Sequence, residues 1–563
     1  MNGANKRFTH AETMVGQLWS GRAWLLPGDS LFTQAHFTAD ASDYVESIVS
    51  YDRGQYYEFW EFGHILWRPI GWVLMMVLRP VLLSLSGGDL EVGTALLLTA
   101  IAWLAGLISV VALAAIVSRF CSRKLIVSIT VLTFILSHGV LNFAQAGTSY
   151  IISLCFMLLA LYVLLKPKGE RLTTRHGLAA ESYSRLMICF WLPFIFIIPA
   201  VLIAPLAVSG LEMKKVKTLF VALIVAGVLT AIVYLVVVAG PVGVRSISGF
   251  RAWMQQTTGR TSQDKGLART ILGFPRSFIY FGNDGMLVKR YLVRDPFNPV
   301  TGLDILRLSL WKLILFYLFL AALGLNLLRS EQGRRLLVPL GLAAVAVVSV
   351  AVYWHGGDIE RYLPLYPMLF LAVGCVLCSR QSWRVLNYVV LIFLTAAAVT
   401  NLYAMSPTVL ALQQANVSAR ISNLAPRLKP ASRIFVVNFQ DELYNFGRDF
   451  PFNPIVRAHT LQVTSVVEVS GKDAPRWRQA FAADAQSIWS GGGDVWITRR
   501  VLSSKPKAEW NWVEGDDQRL SWTDFYQFFS QLEVGEPVGG DDGFVLVVPS
   551  ERTRQILNQF NSQ

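Results

Sequence analysis

The sequence predicts a mostly α, polytopic helical membrane protein with an α/β domain at its C-terminal end. Three observations predict it. Of 563 residues, 53% are hydrophobic and only 15% are charged, at a mean hydropathy of +0.45; soluble proteins carry about a quarter charged residues. Several apolar runs approach or exceed the ~18 residues that cross a bilayer. From residue 405 onward the composition turns polar, and short β-rich runs replace the long apolar ones.

The chain opens with acid. Residues 37–64 carry Asp40, Asp43, Glu46, Asp52, Glu58, Glu61 and His64 ahead of the first strongly apolar run. Residues 1–61 contain no apolar core long enough for a signal peptide or a span; "AWLLP" is too short. "HILWRPIGWVLMMVLRPVLLSLSGG" (64–88) has the apolarity of a span but is interrupted by Arg68, Pro69, Arg79 and Pro80. It reads as helices lying along the outer interface, with tryptophans at headgroup level.

Spans follow at about 92–117, 125–142, 148–165, 218–239, 305–328, 335–354, 363–379 and 385–404. The stretch 177–210 contains Pro193, Pro199 and Pro205. Interior prolines break or kink helices, so this is either one kinked span or two short helices that enter the membrane and return. Basic residues favour the return. With it, "SRFCSRK", "KPKGERLTTRHGLAAESYSR", "LEMKKVK", "RSEQGRR" and "SRQSWR" share one side and hold 16 Lys and Arg, the inside-facing bias expected of short loops. Residues 1–91, the loop 240–304, the short loop 355–362 and the tail 405–563 then face outside. The chain accordingly divides into an acidic outer loop with interfacial helices (1–91), a transmembrane domain (92–404) and an outer C-terminal domain (405–563). In that tail "RIFVVNF", "DVWITR" and "GFVLVVP" read as strands, and "APRWRQAFAADAQSIW" as an amphipathic helix.

The net charge of +13 is largely carried between apolar runs, where basic residues orient a membrane protein; no nucleic-acid partner is expected. Cys121, Cys155, Cys189, Cys375 and Cys378 all lie in or beside apolar spans, which argues against a disulfide framework. The "CVLC" spacing lacks a βαβ context and reads as packing.

"DASDYVESI", then "HILWRPIGW", then a span ending in a basic loop resembles the first outer loop of GT-C glycosyltransferases. These polyprenyl-phosphate-sugar-dependent enzymes include protein O-mannosyltransferases and the aminoarabinose transferases of lipid A. Asp40, Asp43 and Tyr44 match an acid–x–x–acid–aromatic form found in one branch. His64 with Pro69 corresponds to a later proline-bearing motif with altered spacing. "ERYLPLYPML" (360–369) is similar to the "RYxLPLYP" segment of many members. The resemblance covers roughly residues 30–404 and implies about nine to eleven membrane helices. In one respect the sequence departs from the family, whose members usually begin with a transmembrane helix.

The resemblance implies a sugar carried on a lipid phosphate, an acceptor hydroxyl that attacks the anomeric carbon with inversion, and a departing phosphate. Such a reaction needs a carboxylate as general base and cations at the phosphate. Asp40 is the candidate base and Asp43 the second. Three residues apart on a helix they share a face, and like charges at that distance raise the proton affinity of one. The alternative is a solvated acidic loop, the reading given to Glu46, Asp52, Glu58 and Glu61. Substrate-binding candidates are His64, Arg68, Arg276, Glu360, Arg361 and Tyr362. His64 orients the acceptor, contacts the phosphate, or makes a structural hydrogen bond. Arg361 binds phosphate, or pairs with Asp358 and Glu360 at the headgroups. The loop 240–304 adds nine basic residues, Arg276 among them, against four Asp.

No metal-ligand spacing recurs around the acids and His355, and no cofactor is expected beyond the lipid-linked donor as co-substrate. The expected partners are that polyprenyl-phosphate sugar donor, membrane lipids and a glycan, lipid or protein acceptor. The expected location is a bacterial inner membrane, with the site facing the periplasm. Two other classes compete: a lipid-linked saccharide transporter or flippase, which predicts charged spans or repeated halves, and a non-catalytic scaffold.

Overall fold

The computed structural model describes residues 39–55, 59–165, 173–209, 213–257, 266–281, 291, 300–354 and 356–404, and in the tail 419–436, 462–465, 476–503, 511–514, 518–539 and 543–561. The chain divides into two compact units: Asp40–Gly285 with Leu308–Ala404, and Met1–Ala39 with Met286–Arg307 and Met405–Gln563.

The first unit is helical. Among the described residues, six helices are long and apolar enough to cross a membrane: Trp67–Leu85, Leu90–Ser118, Gly302–Arg329, Glu331–Tyr353, Ile359–Cys378 and Arg384–Ala404. Shorter apolar helices lie at Lys124–Ile135, Tyr150–Leu164, Leu192–Ala207 and Ile224–Ala239. Some hydroxyls inside these apolar runs bond back to their own helix. Ser109 donates to the Ala105 carbonyl and Thr130 to Ile126, so the polar group needs no external partner. Asp89 starts the 90–118 helix by accepting from the amides of Glu91 and Val92. Small residues let helices approach: a Cβ on Gly374 would stand 2.7 Å from Val117 Cγ1, and one on Gly106 3.1 Å from Ala144 Cβ.

The stretch 177–210 forms two helices, Thr174–Phe190 and Ile198–Ser209, joined by a 3-10 turn at Leu192–Ile197. Trp191 is extended (φ −155°, ψ 106°) and Pro193 follows, which ends the first helix. Of the two expected forms, the stretch takes that of two helices and not one continuous kinked helix. The 174–190 helix runs back along the 150–164 helix and delivers Phe190 beside His64.

Contacts sort the loops of this unit between two ends. At one, Tyr150 reaches Asp40, His64 reaches Phe190, Tyr234 reaches Phe62, Trp253 reaches Trp60 and Arg276 reaches Gly357. At the other, Arg119 donates to the carbonyls of Tyr162 and Leu165, and the Arg329 guanidinium lies 4.1 Å from the Trp383 ring centre. Arg119, Arg329 and Trp383 belong to three of the basic loops named above.

The 64–88 segment differs from its expected form. It is one continuous helix over Trp67–Leu85, not a set of interrupted pieces. Pro69 falls in its first turn, where the missing N–H has no intrahelical partner to lose. Although long enough to span, it keeps both ends at the Asp40 end. Trp67 packs on Phe190, Arg79 pairs with Asp52 at 3.2 Å, and a Cβ on Gly93 would touch Leu82. Val73, Met76, Val77, Leu78 and Val81 form an exposed apolar face.

In the second unit, four strands form a sheet in the order β2-β1-β3-β6: Gln462–Ser465, Arg433–Val436, Val495–Thr498 and Phe544–Val547. β1 is parallel to β2 and β3, and β6 is antiparallel to β3. A separate hairpin pairs β4 (Asn511–Glu514) with β5 (Gln518–Ser521). The three expected strands and the helix Trp477–Ser490 are present; β2 and the hairpin are additional. Trp477, Phe481, Phe525, Phe528 and Phe529 pack its core. The five cysteines are free, with Cys121, Cys155 and Cys189 buried.

This grouping predicts labelling. Ser248 and Gln332 are exposed residues of the loops assigned to the two ends. With the Asp40 end outside, Ser248→Cys reacts with an impermeant thiol reagent in intact cells and Gln332→Cys reacts only after lysis. The reverse pattern would invert the orientation.

Candidate active site

The candidate site is built where the helix Ala39–Asp52 begins. Asp40 lies in its first turn, where the amide dipoles favour a negative charge. The Tyr150 hydroxyl, at the start of the 150–164 helix, donates to Asp40 Oδ2 at 2.5 Å. Asp43, three residues on, is exposed. The structure therefore separates the two candidates: Asp40 turns toward the protein and Asp43 toward its surface.

His64 is buried at the end of the 3-10 turn Phe62–His64. Its Nδ1 donates to the Phe190 carbonyl at 2.9 Å, with Ser149 Oγ 2.6 Å from the same nitrogen. Burial lowers its pKa to about 4, outweighing the Phe190 carbonyl and the Asp40 charge, while Arg68 and Arg361 lower it further. A neutral imidazole is a poor phosphate ligand, so of the three readings the geometry fits the structural hydrogen bond. Tyr44 closes the other side of this ring. Burial, then the Glu61 and Asp40 charges, raise its hydroxyl pKa well above the ordinary tyrosine value.

Arg68 is buried, with Nη2 3.3 Å from Glu61 Oε2 and its guanidinium 5.2 Å from the Tyr44 ring centre. Glu61 and Asp52 are thus paired groups, not the solvated surface that their sequence context suggests. Glu46 is exposed, as expected. Glu58 and His355 lie outside the described residues.

Arg361 arrives from the 3-10 helix Ile359–Leu365. Its guanidinium is covered by Trp354 at 4.6 Å and Trp191 at 5.8 Å. Asp358 and Glu360 each stand 3.7 Å away, longer than a charge-assisted hydrogen bond, and among the described residues Arg361 Nε has no hydrogen-bond partner. Asp40 and Arg361 lie within electrostatic reach of one another, and both act on His64.

Two candidates stand apart from this cluster. Tyr362 is buried, stacks on Phe274, and donates its hydroxyl to the Gly356 carbonyl at 2.7 Å, with the Thr270 carbonyl 3.3 Å from the same oxygen. It ties the 356–361 loop to the helix Gly266–Phe278. Arg276 does the same, donating to the Gly357 carbonyl at 3.1 Å. Of the other basic residues in 240–304, Arg245 and Arg251 are exposed, Arg269 is half-buried, and Arg260, Lys265, Lys289, Arg290 and Arg294 lie outside the described residues.

Sequence reading missed Tyr150, Ser149 and Trp191. The available signal was "GTSY" (147–150), a polar tetrad at the entrance of an otherwise unbroken apolar run.

Fold and site together define a polytopic helical membrane protein with an acid–arginine cluster at one end. No family model matches the chain, and no curated protein does. Among solved structures it is similar to ArnT from Cupriavidus metallidurans bound to undecaprenyl phosphate, at TM-score 0.45 and 12% identity over 98% of this chain and 99% of that one. The apo state of the same protein aligns at TM-score 0.45 and 12% identity over 99% of each chain. The apo Archaeoglobus fulgidus oligosaccharyltransferase aligns at TM-score 0.41 and 13% identity, over 89% of this chain and 71% of that one. At these values the likeness assigns no reaction to this chain.

The buried His64 predicts a pH dependence of stability. An unfolded imidazole titrates near 6.5, so between about 4 and 6.5 the unfolded state binds more protons than the folded one. Stability is complete above that window and falls as the pH drops through it, by on the order of 3 kcal/mol. His64→Asn is expected to flatten this slope in thermal unfolding of the detergent-solubilised protein. An unchanged slope would show that His64 is not the group responsible.

Proposed function

We propose that this chain is an integral membrane glycosyltransferase that moves a sugar from a polyprenyl-phosphate donor to an acceptor hydroxyl, with inversion, at the outer membrane face. The observation that carries the reading is that Asp40 and Arg361, 321 positions apart in the sequence, are joined through two packed rings: Tyr150 bonds Asp40 and lies 4.7 Å from Trp191, which in turn lies 5.8 Å from the Arg361 guanidinium.

The chemistry divides between them. Asp40 takes the proton of the acceptor hydroxyl as its oxygen attacks the anomeric carbon. The bond from that carbon to the phosphate oxygen breaks on the opposite face, and the electron pair leaves with the lipid phosphate. Arg361 stabilises the charge gathered there. Its faces are covered by tryptophan while its nitrogens lack close carboxylate hydrogen bonds, an arrangement that keeps donors available for phosphate oxygens. A lipid tail held in the bilayer brings its phosphate to the end of the bundle, where both groups lie. The donor is a co-substrate and the proposal requires no cofactor. A bacterial inner membrane with a periplasmic site fits the charge asymmetry of the loops.

Asp40→Asn preserves shape but cannot accept the proton. It is expected to lower transfer by about 10²–10⁴-fold with little change in donor binding. Arg361→Ala is expected to weaken donor affinity along with rate, and exposed Asp43→Asn to be milder. The measurement is sugar transfer from lipid-phosphate donors by purified, detergent-solubilised protein. Near-wild-type transfer by Asp40→Asn would overturn the assignment.

A further inference from the structure

We infer that Tyr150 is the positioning residue for Asp40: its hydroxyl holds Oδ2 and thereby presents Oδ1 to the acceptor. This rests on the base role proposed for Asp40.

A half-buried aspartate in the first turn of a helix has several rotamers open to it. The Tyr150 bond selects one. Among the described residues it is the only hydrogen bond to the Asp40 carboxylate, so Oδ1 is left for an incoming hydroxyl. The donor itself has little freedom. The Tyr150 ring is buried and held edge-on by Phe143 at 5.0 Å, Trp191 at 4.7 Å and His64 at 5.4 Å. Its neighbour Ser149 touches His64 Nδ1, which in turn is fixed to the Phe190 carbonyl. Three separate elements thus aim one O–H, and a tyrosine needs only two side-chain torsions to be fixed. A catalytic group must be held within hydrogen-bond reach in the reactive geometry, and small displacements cost large factors in rate. Among the described residues Tyr44, His64, Glu360 and Arg361 also act electrostatically on or with Asp40, and none of them is hydrogen-bonded to its carboxylate.

The test is Tyr150→Phe, which removes the hydroxyl and keeps the ring contacts. The expected result is a kcat lowered by about tenfold to a hundredfold with the donor KM within about twofold, because the bond orients the base and does not hold the donor. In an Asp40→Asn background the same substitution should add little further loss. Isotope-edited infrared spectra of Asp40 provide a reading that needs no turnover: the carboxylate band shifts in Tyr150→Phe. It shifts in the opposite direction when 3-fluorotyrosine, a stronger donor of nearly the same size, replaces Tyr150. An unmoved band, a full additional loss in the Asp40→Asn background, or a shifted band with unchanged kcat each overturn the inference. If the wild-type protein transfers no sugar from lipid-phosphate donors while the band shifts, the glycosyltransferase reading fails and the Tyr150–Asp40 bond stands. Should Tyr150→Phe not fold, the fluorotyrosine protein alone decides by its band and kcat.

Discussion

The structure of the helical unit depends on one constraint: ionisable groups in a mostly apolar bundle have to be gathered, paired and covered. An isolated charge carried into a low-dielectric interior costs several kcal/mol. Here Asp40, Glu61, Asp358 and Glu360 are collected with Arg68 and Arg361 at one end, and the rings of Tyr44, Trp191 and Trp354 cover the guanidiniums. Much of the backbone follows from this. The 174–190 helix stops at Trp191, so Phe190 can offer a carbonyl to His64 and Trp191 a face to Arg361. The 67–85 helix stays at the same end, with Arg68 on Glu61 and Arg79 on Asp52.

The same gathering has a chemical consequence. Paired charges at closest approach would be spent on one another. At 3.7 Å the Arg361 contacts neutralise the buried guanidinium yet leave hydrogen-bonding capacity unspent. Arg68, closer to its carboxylate and beneath Tyr44, has the character of a scaffold pair. The two arginines illustrate how geometry, more than residue type, separates a group that can bind a substrate from one that supports the site. Tyr362 and Arg276 make a third class, for they fix the loop carrying Arg361 by bonding to its backbone.

Much of the fold was legible in the sequence because hydrophobic length has few interpretations. The 90–118, 331–353 and 384–404 helices fall within a few residues of the expected spans. At 177–210 the prolines marked the break between two helices. The 67–85 segment was harder, since Pro69 and Pro80 suggest interruption to a reader of sequence, whereas a proline in the first turn costs a helix nothing. Glu61 and Asp52 were misread because an acid in a polar stretch has no visible partner until the chain folds. β2 and the β4–β5 hairpin were passed over because four-residue strands carry too little periodicity to stand out.

By itself, then, the sequence determined the membrane class, the positions of most helices and the acidic character of the opening, since each follows from local apolar length or local charge. The tertiary structure decided which acids are paired, that Asp40 and not Asp43 faces the protein, and that Tyr150 meets it. Those outcomes depend on contacts across as many as 321 positions. No local pattern encodes them, because a side chain's partner is chosen by the packing of helices far apart in the chain.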